Sequence, residues 1–482
     1  METDRELLLT YVQTRLREGP ILTKENIYRD KQKLKYRSVF LKLKMHIDNF
    51  LKGHVENRFI ILPGLRGVGK STLIFQIYDY LVNEIKIESD RILYLSTDQL
   101  NELLGERIIQ AIDVFISDVH QKSPVTLDEE IFIFIDEAQN DKRWSQAGKI
   151  IYDQSKKIFM IFTGSSALDL EINVDAVRRT KKESVFPMNF QEYLLLKYKI
   201  FPPKGTSESI RNLILTGDIS DASNKEKIIN RKLSKLRTPP KKEWENYLCY
   251  GGFPLSIYLN EFDVHEKTYK MIERIIEKDV SHYRSVRKET KSTIFKIIIF
   301  LSLQKPGEIS EKKLSARLEV SSSVIHDLLN ILEKTHLIFH IDPYVSAGKS
   351  IKKPKKYYFL SPSLKSSINF RLGRYFPKNR EFLGSLAENL VASYFLKMKE
   401  TTNSPNGVFY PPEDGNVDFL LSKIGGEIIP VEVGVGKKNK KQVIQSMNKY
   451  NSKYGIIISN KTEIIKKEED IVYLPLTTFS FM

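Results

Sequence analysis

The residues with the clearest chemical capacity lie between positions 59 and 72, Phe-Ile-Ile-Leu-Pro-Gly-Leu-Arg-Gly-Val-Gly-Lys-Ser-Thr. Gly64, Gly69, Lys70 and Ser71 stand in the spacing G-x-x-x-x-G-K-[ST], the pattern of a phosphate-binding P-loop. Glycines let the backbone curl so that successive N–H groups point into one concavity, where phosphate oxygens sit and a Cβ would intrude. The loop Gly64, Leu65, Arg66, Gly67, Val68, Gly69, Lys70, Ser71 and Thr72 is therefore expected to hold ATP. Lys70 would neutralise the β- and γ-phosphates, and the Ser71 hydroxyl would ligate Mg²⁺.

A second cluster follows at Asp136-Glu137, which closes the apolar run Ile131 to Ile135. An unbroken apolar strand ending in carboxylates is what a buried parallel strand looks like when its carboxyl end faces a nucleotide. Asp136 is placed to hold the Mg²⁺ shell through water, and Glu137 to orient the attacking water. The same acids, with Asn140, would also suit the start of a helix. Lys157 to Phe162 reads as a further strand, ending in Thr163-Gly164-Ser165-Ser166. Thr163 and Ser165 compete for the role of reporting the γ-phosphate, and an ordinary strand-to-helix turn is the alternative.

These groups need a scaffold to align them. Phe59 to Leu62 has strand length, and Ser71 to Leu81 places Leu73, Ile74, Ile77, Tyr78 and Leu81 at helical spacing. The loop thus joins a strand to a helix N-terminus, whose dipole favours anions. Arg91 to Ser96 reads as another strand, and Glu102 to Val119 as an amphipathic helix. Upstream, residues 1–50 read as helical segments separated by Gly19-Pro20.

A chain of 482 residues predicts several domains, because single cores stop growing near ~250–300 residues. With 41% apolar residues it can build cores, which excludes wholesale disorder. One cysteine, Cys249, excludes an intrachain disulfide and a Cys-rich zinc site. The acidic opening METDRELLLTYVQ does not resemble a signal peptide, and the most apolar stretch, Ile294 to Leu303, is too short for a bilayer. A soluble cytoplasmic protein is the expectation, with no membrane partner.

The net charge of +16 is uneven. Residues 1–200 carry 30 basic against 29 acidic residues, and the other 282 carry 46 against 31. The densest stretch holds Lys352, Lys353, Lys355, Lys356, Lys365, Arg371, Arg374, Lys378 and Arg380 without one acid. Such a density suits phosphate contacts with double-stranded DNA, or equally a solvated basic surface.

Taken together, GLRGVGKST, IFIFIDEAQ, FTGSSALDL, FPMNFQEYLLLK, YLCYGGFPLSIYL and IERIIEKDVSHYR resemble the archaeal and bacterial AAA+ P-loop ATPases that carry a C-terminal, restriction-endonuclease-like domain of unknown function. The resemblance implies an ATPase with a helical lid near 191–290, and places Arg178-Arg179 where an arginine contacts the γ-phosphate. The glycine usual before that arginine is missing. Residues 204–242, rich in Ser, Asn and Lys, read as an exposed insertion or a partner-binding arm.

From Thr293 the order is helix, short helix, Ser-capped helix and strand, which is that of a winged helix; it serves DNA or acts only as a packing module. Beyond Leu383, helix and strand alternate, with Glu388, Asp418 and Glu432 spaced as in the PD-(D/E)XK nuclease core. In that scheme the three would gather oxygen ligands for Mg²⁺. Gly434 stands where the catalytic lysine belongs, leaving only Lys437 or Lys438 to reach back, so a non-cutting version of the fold is expected. The overall expectation is an α/β chain: an N-terminal helical segment at 1–50, a P-loop AAA+ parallel-sheet core at 51–190, the lid at 191–290, the winged helix at 291–350 and the basic nuclease-like α/β domain at 351–482. Its function would be Mg²⁺-dependent ATP hydrolysis coupled to DNA. The alternatives are a nucleotide-gated switch that binds a protein partner or another copy of itself, and an active nuclease.

Overall fold

A computed structural model describes the chain apart from residues 1, 106, 166–173, 281–287, 305–307, 310, 346–353, 402–405, 414–415 and 437–439; at 2, 3, 103, 174, 175, 288, 308 and 309 only the backbone is described. The chain forms two compact units, Met1–Phe186 and Pro187–Met482.

The first unit is built on five parallel strands in the spatial order Ile92–Ser96, Ile131–Asp136, Ile158–Gly164, Phe59–Pro63, Lys181–Lys182. The four longer strands are apolar on both faces because helices cover both faces, the usual condition of a parallel sheet. Every residue of Ile131–Asp136 is buried. Each fully buried Ile or Phe there contributes about 1.5–3 kcal/mol, enough to carry one carboxylate into the interior at the strand end. Register then fixes the chemistry: Leu62 pairs with Thr163, Ile135 with Phe162, and Ser96 with Asp136. The carboxyl ends of these strands meet at one edge.

The first helix, Glu2–Ile27, runs straight through Gly19-Pro20, where a break was expected. Proline removes one helical hydrogen bond, but packing outweighs that loss. Leu8 and Val12 sit in the same core as Phe59, Ile133 and Phe162. Gly19 lies so close to Tyr78 that a Cβ would stand 2.7 Å from its hydroxyl. The single helix expected at 102–119 is instead divided, Thr97–Leu104 and Ile108–Val114, by Gly105 at φ +66°.

The second unit holds a mixed sheet of nine strands, in the order Lys466–Glu468, Ile471–Pro475, Gly455–Ser459, Ile428–Gly434, Phe419–Ser422, Gly407–Tyr410, Ile338–Pro343, Lys355–Phe359, Glu308–Ile309. The boundary expected at 350/351 falls between two of its antiparallel strands, Ile338–Pro343 and Lys355–Phe359. Residues 204–242 are not an exposed insertion. They form helices Thr206–Thr216 and Ser220–Leu233, which bury Ile210, Leu213, Ile214, Ile229 and Leu233. Buried Glu226 accepts hydrogen bonds from the Ile465 amide at 2.6 Å and from the Thr478 hydroxyl. Lysines on the outer faces of these helices account for the polar composition. No described helix is long and apolar enough to cross a membrane.

Candidate functional site

Lys70 begins a helix, Lys70–Asp79, capped by Gly69 in the left-handed region at φ +94°. Gly67 is also left-handed, at φ +78°. A side chain at either would strain the curl that points the loop amides inward. Gly64 is tight for a different reason: a Cβ there would stand 2.5 Å from the Val185 carbonyl. The Lys70 ammonium is buried and donates back into its own loop, to the carbonyls of Gly64 at 2.9 Å and Leu65 at 3.3 Å. It is a cation parked where phosphates would sit.

Asp136 is the hub. Its Oδ2 accepts the Ser71 hydroxyl at 2.6 Å, and Oδ1 accepts the Thr163 hydroxyl. Tyr94 donates to Oδ2 at 3.4 Å. Burial raises the pKa of this carboxyl above the usual carboxylate range, and the neighbouring Glu137 adds to that; the Ser71 and Thr163 hydrogen bonds and the Lys70 charge oppose it. A buried carboxylate beside a hydroxyl offers two hard oxygens at a place where a cation would offset the desolvation. That donor set fits Mg²⁺.

Glu137 is held in the left-handed region, φ +55° and ψ +42°, uncommon for a residue with a side chain. The chain past it folds into the turn Ala138–Asn140, in which the Asn140 amide donates to the Glu137 carbonyl at 3.1 Å. Its carboxylate accepts from Gln139 Nε2 at 2.5 Å and lies 3.9 Å from the Arg66 guanidinium. The strand's end therefore turns sharply, carrying Glu137 toward the P-loop side and not simply capping a helix.

Thr163 is committed to Asp136, whereas the buried Ser165 hydroxyl has no hydrogen-bond partner among the described residues. Arg178 and Arg179 are not drawn to this group. Arg178 is exposed, and Arg179 donates to Asp153 at 2.5 Å on the helix Trp144–Gln154. One contributor was invisible in the sequence: the buried Arg37 guanidinium donates to the Val68 carbonyl at 2.6 Å and the Phe186 carbonyl at 2.9 Å, bracing the loop from behind. Thirty-one residues of chain separate Arg37 from Val68, and no local pattern announces the contact.

In the second unit, Glu388 accepts from the Tyr358 hydroxyl at 2.9 Å, and Asp418 accepts from the Val433 amide at 2.7 Å. Burial raises the Glu388 pKa well above the carboxylate range, and Asp418 adds to it, against Lys356, the Tyr358 hydrogen bond and Lys365. Glu432 is buried on the strand Ile428–Gly434. Among the described residues, no three His, Cys, Asp or Glu side chains come together to hold a metal ion, so the gathering of Glu388, Asp418 and Glu432 around Mg²⁺ is not formed. Asp418 is turned to a backbone amide and Glu388 to a phenol. The cations facing Glu388 are Lys356 and Lys365; Lys437 and Lys438, like Lys352 and Lys353, lie outside the described residues.

The family described as AAA domain matches residues 56–194; two domains of unknown function, DUF8612 and DUF4143, match 241–372 and 383–479. The uncharacterized protein MJ1637 of Methanocaldococcus jannaschii is 34% identical over 440 residues, covering 91% of this chain and 87% of the relative. A second from the same organism, MJ1544, is 24% identical, covering 82% and 79%. Among solved structures, the Walker-type ATPase paby2304 of Pyrococcus abyssi is 14% identical with a TM-score of 0.42, over 71% of this chain and 97% of that one. The P-loop geometry, the AAA-domain match and the near full-length relative lead to one conclusion: the chain belongs to the AAA-type P-loop ATPase family.

Proposed function

We propose that the unit Met1–Phe186 binds ATP with Mg²⁺ and hydrolyses it, and that the unit Pro187–Met482 couples this to double-stranded DNA. The observation that carries the first part is the meeting of Ser71, Asp136 and Thr163 beside a Lys70 ammonium that donates to carbonyls of its own loop. Bound Mg²⁺ would draw charge from the β- and γ-phosphates. Lys70 would exchange the Gly64 and Leu65 carbonyls for phosphate oxygens, and the Ser71 hydroxyl would turn from Asp136 to the cation. Asp136 would hold the cation's water shell. Glu137, released from Gln139, would orient the attacking water. Ser165, with its hydroxyl unoccupied, is the better placed of the two sensor candidates.

The DNA reading is supported by the charge of residues 201–482 and by the order helix Lys288–Leu303, strand Glu308–Ile309, helix Glu311–Leu318, helix Ser322–Lys334, then antiparallel strands Ile338–Pro343 and Lys355–Phe359. That is the order of a winged helix, with Ser321 capping its third helix by accepting from the Val324 amide. The C-terminal carboxylates, lacking a lysine at Gly434, suit shape recognition and not strand cleavage.

The test is ATP turnover by the full chain with and without duplex DNA, beside Lys70→Ala. Turnover should be stimulated by DNA and abolished in a folded Lys70→Ala protein. Unchanged turnover in that variant would remove the ATPase reading, and DNA-independent turnover would favour a nucleotide-gated switch acting on a protein partner.

A further inference from the structure

A cavity of about 700 Å³ opens in the second unit between the end of helix Phe190–Tyr198, the loop after it, and the end of helix Ser220–Leu233. It lies in the stretch between residues 194 and 241, which none of the matched families spans. Its walls combine Tyr198 and Phe201 with Lys232, Lys235 and Arg237. Phe201 is 55% exposed, so its ring is open to a ligand from solvent. Lys232 donates to the Phe201 carbonyl at 2.7 Å, which ties the cation to the backbone that carries the ring. Lys235 and Arg237 are exposed and make no ion pair with an acid among the described residues. The acid beneath Tyr198, Glu243, is buried and compensated by Lys197 at 2.6 Å. The cavity therefore presents aromatic faces beside Lys232, Lys235 and Arg237, and the acid at Tyr198 is already paired with Lys197.

Rings give every nucleobase a stacking partner, and cations around them take the adjoining phosphates. A duplex keeps its bases stacked inside and cannot offer them to a recessed ring. We propose that this cavity takes a nucleobase with its flanking phosphates from single-stranded nucleic acid, the base on Phe201 and the phosphates on Lys232, Lys235 and Arg237. The proposal rests on the nucleic-acid reading above only for the class of ligand, and assigns a second surface to the unpaired strand.

The test is binding of fluorescein-labelled (dT)15 to the full chain at low salt, with an unlabelled-sequence duplex measured in parallel. Phe201→Ala should weaken (dT)15 binding about tenfold or more, Phe201→Tyr should restore it, and both should leave duplex affinity unchanged. Lys235→Gln with Arg237→Gln should weaken it too and flatten its salt dependence by roughly one unit of log–log slope. Equal (dT)15 affinity in wild type and Phe201→Ala overturns the proposal, as does wild type binding duplex but not (dT)15. In that last case the duplex reading stands alone; binding to neither ends both. Displacement of (dT)15 by thymidine monophosphate at equal affinity would assign the cavity to a free nucleotide and overturn the strand assignment.

Discussion

Ser71 donates its hydroxyl proton to Asp136 across 2.6 Å, so the two residues that would share one cation are already in contact before it arrives. The sheet order allows this, since the strand ending in Asp136 and the strand leading into the P-loop flank Ile158–Gly164 and point the same way, so their carboxyl ends lie on one edge of the parallel sheet. Glu137 stands apart from this pair, its carboxylate held by Gln139 and 3.9 Å from the Arg66 guanidinium, and the proposed mechanism gives it a different role.

That difference is measurable. Glu137→Gln keeps size and hydrogen bonding but removes the charge that orients water, so ATP should bind with near wild-type affinity while turnover falls by ~10² or more. Asp136→Asn should instead weaken Mg²⁺-dependent nucleotide binding. Binding titrations and single-turnover rates separate the two, and identical behaviour would refute the division.

Arg37 should act on the loop without touching nucleotide. Arg37→Met strands the buried carbonyls of Val68 and Phe186, at a cost of about 1–3 kcal/mol for each. A lowered melting temperature together with weaker nucleotide binding is expected. Melting loss with unchanged nucleotide affinity would show that the brace is structural only.

Salt dependence tests the basic half. Arg374, Lys378 and Arg380 are exposed, whereas Lys365 is buried and donates to the Gln304 carbonyl at 2.8 Å. Duplex affinity should fall with salt at a log–log slope near −0.9 per contact. Changing the three exposed residues to Gln should flatten that slope by roughly two to three units, and Lys365→Met should leave it alone. Salt-independent binding would contradict phosphate contact.

Lys365 gives a stability signature instead. Burial pushes its pKa down to about 8, with Glu388 pulling the other way. Above that pH the folded chain has shed a proton that the unfolded chain keeps until about 10.4, so wild-type stability should rise with pH through this window. Relative to Lys365→Met the gain is on the order of 3 kcal/mol between pH 8 and 10.5, read from paired denaturation curves. A constant difference across the window would mean that the ammonium is not desolvated.

How much of this was legible in the sequence depends on range. Gly67, Gly69, Lys70 and Ser71 were readable because a phosphate cradle demands particular backbone conformations at fixed spacing. Asp136 was readable because five consecutive apolar residues mark a strand buried on both faces. Arg37 was not, since its partners are carbonyls, which any residue supplies. Residues 204–242 misled through composition: two short helices with lysine-rich outer faces bury few apolar side chains each, and their buried acid Glu226 finds its donors at Ile465 and Thr478, more than two hundred positions away. Gly19-Pro20 misled because proline reports the backbone's local preference and not the core that overrides it.

The nine-stranded sheet ties two matched regions of the chain together. The strand Ile338–Pro343 pairs on one side with Lys355–Phe359 and on the other, in parallel, with Gly407–Tyr410. The two families of unknown function that match 241–372 and 383–479 thus meet inside one hydrogen-bonded ladder, not at a linker. Removing either would leave Ile338–Pro343 or Gly407–Tyr410 with an unpaired edge, a template for aggregation. The two matched regions should therefore unfold together, as one cooperative unit.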